Sequence, residues 1–90
     1  MNINITTQNV NLTDLFNAVE NDGEITLHDA GAYGLTITST DDGYTVTDET
    51  GGDQGADTFK QALTIAAEFI EHVADEDADW MALATEMRHF

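Results

Sequence analysis

Eighteen aspartates and glutamates stand against only Lys60 and Arg88 in this 90-residue chain, a formal charge of −16, and that imbalance limits what it can fold into. Carboxylates without cationic partners are costly to bury, so the fold has to set nearly all of them outside a single core. Apolar residues make up 41% of the chain, too many for a disordered acidic tail and enough for one modest domain spanning residues 1–90. The chain has no cysteine, which removes disulfide frameworks and thiolate metal sites. No apolar run approaches the roughly 20 residues of a membrane span. The opening MNINITTQNV carries no basic segment of the signal-peptide kind, so the expected location is a cytoplasm. Nucleic acid and anionic membranes should repel such a surface, while a cationic surface should attract it quickly and in a salt-sensitive way.

The patterning predicts an α+β domain in the order α-β-β-β-α-α. The first residues, with Ile3 and Ile5 on one side, read as a short strand or an ordered arm. VNLTDLFNAVEND reads as a helix with Asn11 as N-cap, Asp14 near the positive end of the dipole, and Leu12, Leu15, Phe16 and Val19 as its inner stripe. Val10 can staple to Leu15, and Asn21-Asp22-Gly23 stops the helix. EITLH, YGLTITST and GYTVTDE alternate with period two. Ile25, Leu27, Tyr33, Leu35, Ile37, Tyr44 and Val46 lie on one face and threonines on the other, as in an antiparallel meander with one wet face. Thr40-Asp41-Asp42-Gly43 marks the hairpin between the last two strands. TGGDQGAD reads as a loop leading to a long helix from about Asp57 to Ala74. The apolar stripe of that helix is Phe59, Ala62, Leu63, Ala66, Ile70 and Val73, widened by Ile65 and Phe69. DEDAD opens a last helix with Trp80, Leu83, Ala84 and Met87 inward. The helices should pack on one face of a three-stranded sheet.

Catalytic arrangements are hard to assemble from these residues, and the chain is not expected to be an enzyme or to need a cofactor. Ser39, the only serine, lies beside a hairpin rather than in a nucleophile elbow. The glycines of GGDQGAD sit among aspartates that would repel phosphate. Asp75, Asp77, Asp79 and Glu86 match positions 1, 3, 5 and 12 of a calcium-binding loop, but Trp80 stands where that loop turns on glycine. The helical periodicity there would also scatter the ligands, so no metal site is expected. Trp80 itself, at helical spacing with Leu83, Ala84 and Met87, is expected in the core.

The acids fall in groups. Glu68, Glu71 and Asp75 line one helical edge, and Glu76, Asp77 and Asp79 continue it. Asp41 and Asp42 crowd the hairpin tip, and Asp48, Glu49, Asp53 and Asp57 lie between the last strand and the long helix. Carboxylates held rigidly a few ångströms apart resemble the phosphates of DNA. Arginines that read phosphate or guanine can pair with them, often bidentately. These twelve residues are the candidate partner-binding set.

In its shortness, acidity, lack of cysteine and element order, the whole chain resembles small phage-encoded anti-CRISPR proteins that mimic DNA. That resemblance implies an inhibitor, a monomer or homodimer, that blocks the PAM-reading or duplex-binding surface of a Cas effector, Cas9 or a Cascade complex, in the host cytoplasm. The stretch GYTVTDETGGDQGADTFKQALTIAAEFI also resembles HicB-like antitoxins, with Thr58 and Ala62 in comparable places. Residues 75–90 are too few and too acidic for the DNA-binding module of that group. That second resemblance implies a module neutralising a basic ribonuclease toxin. Adaptation to a high-salt cytoplasm would produce the same excess of aspartate and threonine with almost no lysine.

Overall fold

The computed structural model describes residues 2–7, 9–29, 31 and 33–90. Their elements run β1 (Asn2–Asn4), α1 (Leu12–Asp22), β2 (Glu24–His28), β3 (Gly34–Thr40), β4 (Gly43–Asp48), β5 (Asp53–Ala56), α2 (Phe59–Val73) and α3 (Ala78–Arg88). The five strands form one sheet in sequence order. β1 pairs parallel with β2, and the other neighbours are antiparallel. The domain is therefore α+β, as expected, but its sheet has five strands of mixed direction rather than three in a meander.

The two additional strands have separate causes. A parallel neighbour requires a crossover, and α1 supplies it by carrying the chain from β1 back to the start of β2. The order opens β-α-β, so the α-β-β-β-α-α reading misses its first element. β5 occupies the middle of the stretch expected to be a loop. Its sequence, Asp53-Gln54-Gly55-Ala56, has low strand propensity, yet it pairs with Thr47, Val46, Thr45 and Tyr44 of β4. The intervening turn draws β5 in: the Asp48 side chain accepts from the backbone N–H groups of Thr50 and Gly52, while Gly51 takes φ +88. Tertiary context thus overrides local preference.

The helix ends follow their side chains. Asn11 caps α1 by accepting from the Asp14 N–H, and Gly23, at φ +87, closes the other end with its N–H on the Val19 carbonyl. α2 begins later than expected because Thr58 is its N-cap, accepting from the Gln61 N–H. The Gln61 side chain in turn accepts from the Asp57 N–H. Asp77 caps α3 through the N–H groups of Asp79 and Trp80.

Two rows of inward side chains cross the sheet. Ile25, Ile37 and Val46 form one, and Ile3, Leu27, Leu35 and Asp48 the other. All of these are buried. They meet Leu15 and Val19 of α1 and Phe59, Ala62, Leu63, Ala66, Ala67 and Ile70 of α2, and α3 lies against α2, burying Trp80, Leu83, Ala84 and Met87. Val73, counted in the inner stripe of α2, is 40% exposed, because α2 ends there and its stripe runs past the edge of the core. The opposite sheet face carries rows of half-buried threonines: Thr26, Thr36 and Thr47 in one register row, Thr38 and Thr45 in the next.

Candidate functional site

The strand register sorts the acids into two ends of the sheet. At one end lies the β3–β4 hairpin, where Thr40 pairs with Gly43 across Asp41 and Asp42. Gly43 (φ +151) lies close to the backbone of β5, where a Cβ would collide with the Ala56 carbonyl oxygen and come within 3.2 Å of Asp57 Cα. Asp57 therefore belongs to the hairpin end. Asp53 pairs with Thr47 and lies a strand length away, about 13 Å for four residues. The group expected from Asp48, Glu49, Asp53 and Asp57 is split by β5. Exposed Asp41, Asp42 and Asp57 share their end with Glu20, whose carboxylate accepts from the Tyr44 hydroxyl at 2.6 Å. An aromatic group sits nearby, with Phe16, Tyr44 and Phe90 each edge-on to Phe59.

The opposite end is built around Tyr33, Trp80 and two aspartates. Tyr33 and Trp80 pack edge to face with centroids 5.0 Å apart. The Trp80 indole N–H donates to Asp29 at 2.7 Å, and the same carboxylate accepts from the Gly31 N–H. Asp48 is 6% exposed, the one buried charged side chain among the described residues. One of its oxygens accepts from the Thr50 N–H, the Thr50 hydroxyl and the Gly52 N–H, and the other from the Tyr33 hydroxyl at 3.2 Å. Burial, reinforced by the Asp48 charge and hydrogen bond, pushes the Tyr33 phenol well above its ordinary range. Four donors stand where a cation would otherwise be needed, and Asp48 presents almost nothing to a partner. Its position on the Val46 side of a period-two strand was the signal that it points inward.

Around this node, carboxylates from three connections meet an apolar patch. Asp29, Tyr33, Val73, Ala74, Asp75, Glu76, Asp77 and Trp80 line an open recess of about 380 Å³. A second, of about 430 Å³, is lined by Tyr33, Glu49, Thr50 and Val73. The two share Tyr33 and Val73. Asp75, Glu76 and Glu49 are exposed, while Asp77 is half-buried in its capping role. Asp53 is exposed at this same end. Asp79 turns to another side of α3, where with Glu86, Ile5, Asn9 and Val10 it borders a separate recess.

The helical edge is divided as well. Glu71 is held by Arg88, both carboxylate oxygens receiving guanidinium donors at 2.6 and 2.7 Å. That pair lowers the Glu71 pKa and raises that of Arg88, and it is the one ion pair among the described residues. Glu68 is exposed on the same helix and adds to the field that raises Arg88. Three groups that sequence reasoning left outside the candidate set prove central here: Asp29, Tyr33 and Val73. Asp29 carries a local signal, an aspartate two residues before a glycine, but its bond to Trp80 joins residues 51 apart.

Among the described residues no three His, Asp or Glu side chains are gathered to hold a metal ion. The positions that match a calcium loop are divided between the α2–α3 connection and helix α3. No described helix is long and apolar enough to cross a membrane. Comparison with protein-family models, curated proteins and solved structures found no match to this chain.

Proposed function

We propose that this protein is an acidic decoy that occupies the basic, nucleic-acid-binding surface of another protein. The observation that carries this reading is convergence: Asp29, Glu49, Asp75, Glu76 and Asp77 arrive from three connections, and Asp53 from the start of β5, at one end of the sheet. Among the described residues the single ion pair lies elsewhere, on Glu71. Carboxylates on short connections anchored by a buried hydrogen-bonded node hold their spacing without help from a partner. They meet incoming arginines with little ordering cost. A Cas effector, whose arginines read duplex and PAM, is the target class we put forward, in keeping with the resemblance in layout and charge. The purified protein should displace duplex DNA from such an effector near 0.15 M salt and lose that effect as salt rises. Duplex binding that stays unchanged at a large excess of the protein would refute the proposal.

High-salt adaptation is the second reading, and one observation favours it. Carboxylates also stand exposed on α1 (Asp14, Glu20, Asp22), at the start of β2 (Glu24) and on the hairpin tip (Asp41, Asp42), so the charge is not confined to one end. A domain of that kind should lose its helical circular dichroism at low ionic strength and regain it in molar salt. A spectrum that keeps its amplitude in dilute buffer would count against it.

A further inference from the structure

The two recesses that share Tyr33 and Val73 set an apolar wall among carboxylates from three connections. Val73 is one of two large hydrophobic side chains left exposed among the described residues. Ala74 and half-buried Tyr33 line the first recess beside it, over buried Trp80. Asp29, Asp75, Glu76 and Asp77 border the wall on one side and Glu49 on the other. Asp29 and Asp77 already accept hydrogen bonds inside the fold. Asp75, Glu76 and Glu49 are the exposed members.

We propose that this groove is a socket for one arginine side chain of the basic partner. The methylene stem would lie on Val73 and Tyr33, and the guanidinium would pair with Asp75, Glu76 or Glu49. An apolar floor with an anionic rim complements a side chain that is apolar along its stem and cationic at its tip. Arginine suits it better than lysine, because its planar, weakly hydrated head can bridge two carboxylate oxygens and stack on an aromatic ring. The inference rests on the basic-partner reading above and adds an anchor point to it. Such a contact is where binding energy would concentrate, since the surrounding charges remain screened by solvent.

The test is a titration of the ¹⁵N-labelled protein with acetylated, amidated tetra-arginine and tetra-lysine peptides near 0.15 M salt, followed by NMR. Tetra-arginine is expected to shift the Trp80 indole N–H and the backbone signals of Tyr33, Glu49 and residues 73–77 most, and to bind several-fold more tightly than tetra-lysine. Val73→Ala keeps the charge and the helix but removes part of the wall, and should weaken tetra-arginine several-fold. Val73→Lys places a cation in the socket and should remove the groove shifts while leaving a dispersed, folded spectrum. Shifts of equal size at Asp41, Asp42 and α1, with Val73→Ala unchanged, would overturn the socket and leave the basic-partner reading standing. If neither peptide binds in a saturable, salt-sensitive way, the socket and that reading both fall.

Discussion

Each end of the sheet holds a tyrosine hydroxyl donating to a carboxylate, in opposite settings. At the hairpin end Tyr44 reaches Glu20 across the surface at 2.6 Å, and at the other end Tyr33 reaches buried Asp48 at 3.2 Å. The longer bond matters more to the fold. Glu20 is solvated with or without its tyrosine, so the exchange of water for a phenol gains little. Asp48 has left water, and each of its four donors offsets desolvation that nothing else would cover. Through Thr50, Gly52 and Tyr33 that carboxylate ties the β4–β5 turn to the residue just before β3. Trp80 and Asp29 tie α3 to the end of β2. One end is thus a braced platform carrying its acids on anchored connections, and the other is a hairpin end where Asp41 and Asp42 stand on a two-residue turn beside exposed Asp57 and Glu20.

The sharpest way to break this contrast is to delete the two carboxylates in parallel. Asp48→Ala should destabilise the protein by about 3 kcal/mol, since it orphans several donors at once. Glu20→Ala should cost less than about 0.5 kcal/mol. Urea melts of the two variants would show it, and similar midpoints would mean that the buried node does not brace its end. Next in size, Asp29→Ala leaves the Trp80 indole N–H without its partner in a buried setting and should cost about 1–2 kcal/mol. Its diagnostic is a weakened, shifted indole signal with the hairpin-end signals unmoved.

The smallest effect separates the tyrosines by pH. Both phenols are raised above tyrosine's ordinary 10.0, Tyr33 mainly by burial and Tyr44 mainly by its hydrogen bond to Glu20. A group harder to ionise in the folded state contributes its full stability below the unfolded pKa and loses it as the pH climbs past that value. Thermal stability should therefore hold up to about pH 10 and decline steadily as the pH is raised above it. Tyr33→Phe, which has no proton to lose, should flatten that decline, and Tyr44→Phe should leave it nearly unchanged because its hydroxyl meets Glu20 in an exposed setting. A decline governed by Tyr44 instead would reverse the ranking of the two ends.

Much of this architecture was legible in the sequence where local chemistry decides. Asn11 and Gly23 bound α1, the Asp41-Asp42 turn joins β3 to β4, and the period-two runs place Ile25, Leu27, Leu35, Ile37 and Val46 on one face. The same alternation, carried two residues beyond Val46, puts Asp48 inside. Counting Asp48 among the surface acids overlooked parity in favour of charge. β5 was hidden because its residues disfavour strands and are recruited by a turn organised from Asp48, a contact that no window of propensity contains. The division of the acids between two ends was hidden for a related reason. Asp53 and Asp57 are four residues apart in sequence, but a strand between them turns that spacing into distance. Val73 looked like core because helical period alone does not show where the neighbouring layer ends.

Whether the braced end is the recognition surface is tested most directly by neutralising equal charge at either end. Glu49→Gln, Asp75→Asn and Glu76→Gln on one side are to be compared with Asp41→Asn, Asp42→Asn and Asp57→Asn on the other. The measured quantity is the concentration of each triple variant needed to displace duplex DNA from a Cas effector of the proposed target class, near 0.15 M salt. The first variant should need at least about tenfold more protein than the wild type, a loss of about 1.4 kcal/mol, and the second less than about threefold. Equal losses from the two triples would contradict a localised recognition surface and show that net charge alone governs binding.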